Sequence, residues 1–121
     1  MFQGLSGWFL DLSPLKTENV KDMSHMFEGT SLSQLDVSRF KTNNVENMAY
    51  MFKGCESVQA LATSGFDTSK VTDMSHMFGG CGNLKDLDIS NFDTSNVLDM
   101  EQMFGMCSSL TKLNFTSKFD I

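Results

Sequence analysis

The chain has 121 residues, of which 40% are hydrophobic, 11% aromatic and 20% charged, with a single proline. These proportions suit one folded domain with a modest core and exclude an intrinsically disordered chain. The formal net charge of −6 argues against a nucleic-acid partner, because phosphate binding needs clustered lysine and arginine. Without a run of about 18 apolar residues, we expect no direct membrane insertion.

The dominant feature is a unit of 25 or 26 residues that begins with valine and repeats along the chain. Such a period indicates a solenoid, in which each unit buries its apolar side against its neighbours. Because Met1–Gly4 matches Met26–Gly29, we predict a single repeat domain excised from a longer chain. Its copies are a partial repeat at 1–19, complete repeats at 20–44, 45–70 and 71–96, and a terminal repeat at 97–121.

The first half of each repeat is predicted to be a one-faced helix of about ten residues. At about 100° per residue, its apolar positions fall within an arc of about 120°. In repeat 71–96 these positions are Val71, Met74, Met77 and Phe78. Polar N-cap residues precede each copy and a glycine follows the apolar run, as at helix ends. We therefore predict that the methionine and phenylalanine columns face the core and do not form a soft-metal site.

The second half of each repeat alternates apolar and polar residues, which predicts a strand. Leu87 and Ile89 share one side, whereas Asp86 and Asp88 share the other. Strand and helix in constant order predict an α/β fold. We expect a leucine-rich-repeat-like solenoid of about five repeats, with a parallel β-sheet on one face and short α-helices on the other.

Two stretches carry a resemblance to a known family. They are Leu-Asp-Ile-Ser-Asn-Phe-Asp-Thr-Ser-Asn-Val (87–97) and Val-Thr-Asp-Met-Ser-His-Met-Phe-Gly-Gly-Cys (71–81). They resemble the 26-residue repeat of bacterial surface proteins, a BspA-like relative of the leucine-rich repeats that includes a mycoplasma-type lipoprotein repeat of unknown function. The resemblance covers nearly the whole chain and implies an extracellular, adhesive array on the bacterial cell surface. The chain departs from the family pattern at two places. Thr30 replaces the cysteine of repeat 20–44, and Leu61–Ser64 replaces the usual strand sequence of repeat 45–70.

The cysteines and histidines repeat with the period, which predicts a structural role and not a single active site. Cys55, Cys81 and Cys107 recur at one position, and we interpret them as stacked free thiols, with a disulfide between two of them as the alternative. No Cys-x-x-Cys pair is present, and His25 and His76 are not at ligand spacing. We predict no enzyme, no catalytic residue, no metal and no cofactor.

The outward strand positions are the predicted binding surface, because they vary between copies on a rigid platform. Adjacent carboxylates on this surface repel each other. They either bind a basic partner or a cation, or they form a solvated face without a ligand. The candidate ligand-binding residues are Gln34, Asp36, Asp86, Asp88, Lys112 and Asn114.

Together these features predict non-enzymatic recognition through the sheet face. The expected partner is a surface protein or glycan of a host or neighbouring cell. The alternative is a structural spacer or antigenic stalk with no ligand of its own. Open ends of the repeat array also predict end-to-end self-association.

Overall fold

A computed structural model describes residues 2–114. Its strands are β1 (Ser6–Phe9), β2 (Ser31–Gln34), β3 (Ala60–Leu61), β4 (Asp86–Asp88) and β5 (Lys112–Asn114). All pairings are parallel, as predicted, and join strands of successive repeats. They form two sheets, β1–β2 and β3–β4–β5.

Residues 2–114 contain no helix, so the predicted α/β leucine-rich-repeat-like solenoid with helices on one face is wrong. No segment of this range is therefore a helix long and apolar enough to cross a membrane. The predicted helices are replaced by what we call the turn segments, a succession of turns at 22–30, 47–55, 73–81 and 99–107.

Backbone hydrogen bonds in the turn segments run between repeats. The N–H groups of Met48, Tyr50 and Phe52 donate to carbonyl oxygens of the following repeat, over 2.9, 2.9 and 2.8 Å. The same pattern recurs one repeat earlier and one repeat later. An α-helix would direct these donors to carbonyls four residues back in its own segment. Each repeat lies between near-copies of itself, and the inter-repeat ladder replaces the helical one.

The apolar spacing that predicted a helix also suits consecutive turns. Met77 N–H donates to Met74 O over 3.2 Å and Cys81 N–H to Phe78 O over 3.2 Å, each three residues back. His76 lies between them with a φ of 56°, a left-handed conformation that interrupts any right-handed helix. Apolar residues three positions apart thus share one side of a turn segment as they would share one face of a helix.

Aspartates at the start of the turn segments cap these turns. The carboxylate of Asp73 accepts hydrogen bonds from the Ser75 N–H at 2.9 Å and the Ser75 hydroxyl at 2.7 Å. Asp22 accepts from the Ser24 N–H in the same way. An aspartate bonded to the backbone two residues on is a common turn motif.

The core orientation predicted from the apolar columns is confirmed, although the backbone is not helical. Met74, Met77 and Phe78 are fully buried. The Phe78 ring stacks on the equivalent Phe52 ring at 5.6 Å and on Phe104 at 5.8 Å. The phenylalanine column therefore links successive repeats through a single hydrophobic core.

A column of buried threonines also joins the repeats. Thr42 Oγ1 accepts a hydrogen bond from Asp67 N–H at 2.7 Å and donates one to Asp67 O at 3.0 Å. Thr68 makes the same pair of bonds to Asp93, at 2.8 and 3.0 Å. Each hydroxyl thereby satisfies one N–H and one carbonyl group in the backbone of the next repeat.

The ladder is interrupted between β2 and β3. Repeat 20–44 carries one residue, Ser31, between Thr30 and Leu32, whereas repeat 45–70 carries two, Glu56 and Ser57, at the equivalent place. The additional residue forms a turn before β3. This one-residue difference displaces the start of β3 relative to β2. On the sheet face, a gap therefore separates residues 2–44 from residues 45–114.

Candidate functional site

The predicted site residues lie on or directly after three of the strands. Gln34 ends β2 and Asp36 follows two residues later, while Asp86 and Asp88 are the outward positions of β4. In the β4–β5 register Asp86 pairs with Lys112 and Asp88 with Asn114, whose side chain lies outside the described part of the structure.

Four of the six predicted residues line one groove of about 870 Å³, which we call the sheet-face groove. Ala60 and Ala62 occupy the repeat positions of Asp86 and Asp88, and their short side chains leave a depression between β2 and β4. No Cα atom of β2 lies within 8 Å of a Cα atom of β3, so β2 and β3 are farther apart than the about 4.8 Å that separates paired strands. The walls carry Gln34, Asp36, Asp86 and Asp88, and Lys112 and Asn114 are not part of the lining.

Two of the groove carboxylates also hold their own turns. Asp36 accepts hydrogen bonds from the Ser38 hydroxyl at 2.6 Å and the Ser38 N–H at 2.9 Å. Asp88 accepts from the Ser90 N–H at 2.9 Å. These serine hydrogen bonds, side-chain and backbone, hold the pKa of both carboxyl groups below its ordinary value. Both groups are therefore ionised at neutral pH and oriented by the turn.

Asp86 differs from its two acidic neighbours. It is exposed, and its carboxylate makes no hydrogen bond to the described residues. Its charge and both oxygens are available to a ligand. A substitution at Asp86 therefore tests ligand binding without removing a hydrogen bond that stabilises a turn.

The electrostatics of the groove are negative. Its described lining includes three carboxylates and no lysine, arginine or aromatic residue. Arg39 attracts Asp36 and Lys112 attracts Asp88, and each makes a minor contribution to the lowered pKa of that carboxyl group. These cations lie outside the lining, so they reduce the negative potential of the groove without occupying it.

The turn segments carry a stack of rings that was not predicted from the sequence. The His25 and Tyr50 rings are 4.7 Å apart and nearly parallel, and Tyr50 and His76 repeat the arrangement at 4.7 Å. Lys53 lies 5.2 Å from the Tyr50 ring centre, and the Glu28 carboxylate accepts a hydrogen bond from His25 Nδ1 at 2.9 Å. The sequence did contain a basis for predicting this stack. The three rings occupy the same repeat position, and residues one repeat apart become neighbours in a solenoid.

The cysteine column is structural. The Cys55 thiol donates to Phe27 O at 3.2 Å and the Cys81 thiol to Phe52 O at 3.1 Å. Burial raises the pKa of both thiols, the opposite of what an activated nucleophile requires. The three cysteines are free, as interpreted from sequence, and within residues 2–114 no group of three or more His, Cys, Asp or Glu side chains is placed to hold a metal.

Comparison with known proteins places the chain in a family without an assigned activity. Curated proteins and solved structures yielded no match. The model of the family described as "Mycoplasma protein of unknown function, DUF285" matches residues 1–117. This match covers nearly the whole chain, and the protein belongs to that family.

Proposed function

We propose that this protein is a non-enzymatic binding module of a bacterial surface protein and contacts a protein or glycan through the sheet-face groove. The supporting observation is that Gln34, Asp36, Asp86 and Asp88, chosen as outward and variable positions, line one polar depression. A concave surface with convergent polar groups on a regular backbone is the usual form of a recognition site.

The groove chemistry favours binding over catalysis. A general acid working near neutral pH needs a carboxyl group with a raised pKa, yet the pKa of Asp36 and of Asp88 is lowered by serine hydrogen bonds. Ser33, Ser38 and Ser57 supply hydroxyls to the lining, but the described lining holds no histidine or cysteine to activate them.

A structural spacer is the second candidate, and one observation favours it. The Asp-x-Ser turn that employs Asp36 and Asp88 recurs outside the groove, for example at Asp67, whose carboxylate accepts from Ser69 N–H at 3.0 Å. A role in the turn therefore accounts for these carboxylates without any ligand. The continuous columns of threonine and phenylalanine also suit a rigid rod.

An array of host matrix proteins and glycans, probed with the folded domain, tests the binding function. Two variants accompany the wild type: Asp86→Lys reverses a groove charge, and Ala62→Gln fills the floor. Glu46→Lys makes the same charge change at an exposed position outside the groove. Circular dichroism establishes that each variant is folded.

We expect reproducible binding that both groove variants reduce at least about tenfold, which corresponds to about 1.4 kcal/mol, and that Glu46→Lys leaves unchanged. Equal binding by all four proteins would place the ligand elsewhere on the molecule. An array with no bound ligand would make the spacer the better account.

A further inference from the structure

The sheet is open where the groove lies. In the C-terminal repeats, Lys85 N–H donates to Gln59 O at 2.9 Å and Thr111 N–H donates to Lys85 O at 3.0 Å. The equivalent bond, from Gln59 N–H to Ser33 O, is not made, and no backbone hydrogen bond joins β2 to β3 within the described residues. Unpaired strand edges offer main-chain donors and acceptors to another chain.

This opening is confined to the sheet face. The same two repeats remain bonded in the turn segments, where Met23 N–H donates to Asn47 O at 2.9 Å and Phe27 N–H to Met51 O at 2.8 Å. They are bonded again through the hydroxyl of Thr42. The gap is therefore a local feature of a stack that is held together on both sides of it.

The side chains around the gap select the kind of occupant. Alternate residues of an extended chain are about 7 Å apart, which is also the separation expected between Asp86 and Asp88 on β4. Cationic side chains at alternate positions of an extended peptide can therefore meet both carboxylates, with their aliphatic stems on Ala60 and Ala62. The described lining contains no aromatic platform of the kind on which a sugar ring stacks.

We propose that the sheet-face groove binds an extended polypeptide segment with lysine or arginine at alternate positions, a proposal that rests on the proposed binding function. Its backbone bonds to the open edges of β2 and β3, and its cations pair with Asp36, Asp86 and Asp88. This is peptide recognition by strand addition, in which main-chain bonds supply affinity and side-chain contacts supply selectivity. Arg39 and Lys112, which attract Asp36 and Asp88 in the free protein, compete with the cations of the peptide.

Three synthetic peptides with blocked ends test the proposal. The first contains four Ser-Lys units, the second four Ser-Glu units, and the third repeats the Ser-Lys sequence with N-methylated serines that cannot donate backbone hydrogen bonds. Binding is measured by calorimetry at low and at physiological ionic strength. An amide NMR titration follows Gln59 and Ala60 at the gap.

We expect the Ser-Lys peptide to bind and to shift the Gln59 and Ala60 resonances, and the Ser-Glu peptide not to bind. Asp86→Lys and N-methylation should each weaken binding at least about tenfold, whereas Glu46→Lys should change it less than about twofold. Weakening by Glu46→Lys equal to that by Asp86→Lys would show a general charge effect and overturn the proposal. Equal binding of the N-methylated peptide would overturn it too.

Absence of Ser-Lys binding also overturns the peptide proposal but leaves the binding function to be judged separately. If a glycan or folded protein on the array requires Asp86 while no peptide binds, the binding module stands and its ligand is of another class. If neither the array nor the peptides show groove-dependent binding, both proposals fail.

Discussion

Residues 2–44 and residues 45–114 build the same kind of repeat with one residue of difference. The N-terminal region has four-residue strands and Thr30 after the turn segment. The C-terminal region has strands of two or three residues, cysteine at the position of Thr30, and one more residue in the following turn. Strands pair within each region and not between them. Repeat length therefore decides which neighbours can share a backbone ladder.

The turn segments and the threonine column are insensitive to this difference. The additional residue comes after the turn segment, so the alignment of each turn segment with the next is unchanged. Thr30 and Cys55 even remain in contact across the junction, with Oγ1 and Sγ 3.3 Å apart. Successive repeats are connected by the turn segments, the threonine column and the strand pairing. Because the first two connections are retained, the stack continues where strand pairing is broken.

Replacing Thr42 by valine should have the largest effect on the junction between the two regions. The hydroxyl bonds to both backbone groups of Asp67, and its loss leaves these two part-buried groups without their partner, at a cost of about 3 kcal/mol. Thr68→Val, within the C-terminal region, should cost about 2 kcal/mol because paired strands support that junction. Urea unfolding of both variants measures the difference. A larger loss for Thr68→Val would contradict the view that the Thr42 junction has fewer supports.

Alkaline pH should destabilise the C-terminal region through its cysteines. Burial raises the pKa of Cys55 and Cys81 above 9.0 in the folded state, whereas unfolded thiols ionise near about 8.5. The stabilisation from keeping them neutral is complete below about pH 8.5 and is lost as pH rises through the folded pKa values. The double variant Cys55→Thr/Cys81→Thr lacks these groups.

Between pH 8 and pH 10 the wild type should lose more unfolding free energy than the double variant, by about 2 kcal/mol for each thiol that stays neutral in the folded state. Urea unfolding at both pH values measures it, and comparison with the variant cancels the titration of lysines and Tyr50. Identical pH dependence of the two proteins would show that the thiols are accessible to solvent in the folded state.

A smaller and stabilising effect is expected at Met106. This residue has a φ of 60° and is 85% exposed, and it occupies the repeat position of Gly54 and Gly80, which have φ values of 73° and 74°. Met106→Gly should raise the unfolding free energy by about 1 kcal/mol, because glycine adopts this conformation without strain. Met106→Ala, which retains the strained Cβ, is the control. Equal stability of both variants would mean that the gain does not come from backbone strain.

The smallest change in stability should come from equalising the repeat lengths. Insertion of one glycine between Thr30 and Ser31 gives repeat 20–44 the length of repeat 45–70, so β2 should pair with β3 and the gap should move to between β1 and β2. We expect less than about 1 kcal/mol change in stability but slower hydrogen exchange at Gln59. The same insertion between Gly82 and Asn83 is the control. Unchanged exchange at Gln59 after the first insertion would show that repeat length does not cause the gap.

Much of the repeat organisation was predictable from the sequence, but its backbone was not. The alternation of Leu87 with Asp86 and Asp88 specified the buried and outward sides of β4 correctly. The triplet spacing of Met74, Met77 and Phe78 specified burial correctly but not conformation, because turns and a helix can bury the same residues. The positive φ of His76 is adopted within inter-repeat contacts, and Tyr50 and Gln102 adopt it at the same repeat position although their side chains do not favour it.

The candidate site divides in the same way. Asp36 lies two repeats before Asp86 and Asp88, and these carboxylates line one groove on either side of repeat 45–70. The depression itself depends on Ala60 and Ala62, which the sequence showed only as a departure from the pattern. The capping of Ser38 by Asp36, and the absence of such a bond at Asp86, depend on three-dimensional positions that spacing alone did not distinguish.

By itself the sequence determined the period, the apolar columns and the parallel order of the strands, because all three follow from residues recurring at intervals of 25 or 26. Tertiary structure decided between helix and turns and between one sheet and two. A backbone N–H donates to a carbonyl of its own segment or of the next repeat according to how closely the repeats stack. That choice is made between segments distant in sequence, and one additional residue is sufficient to alter it.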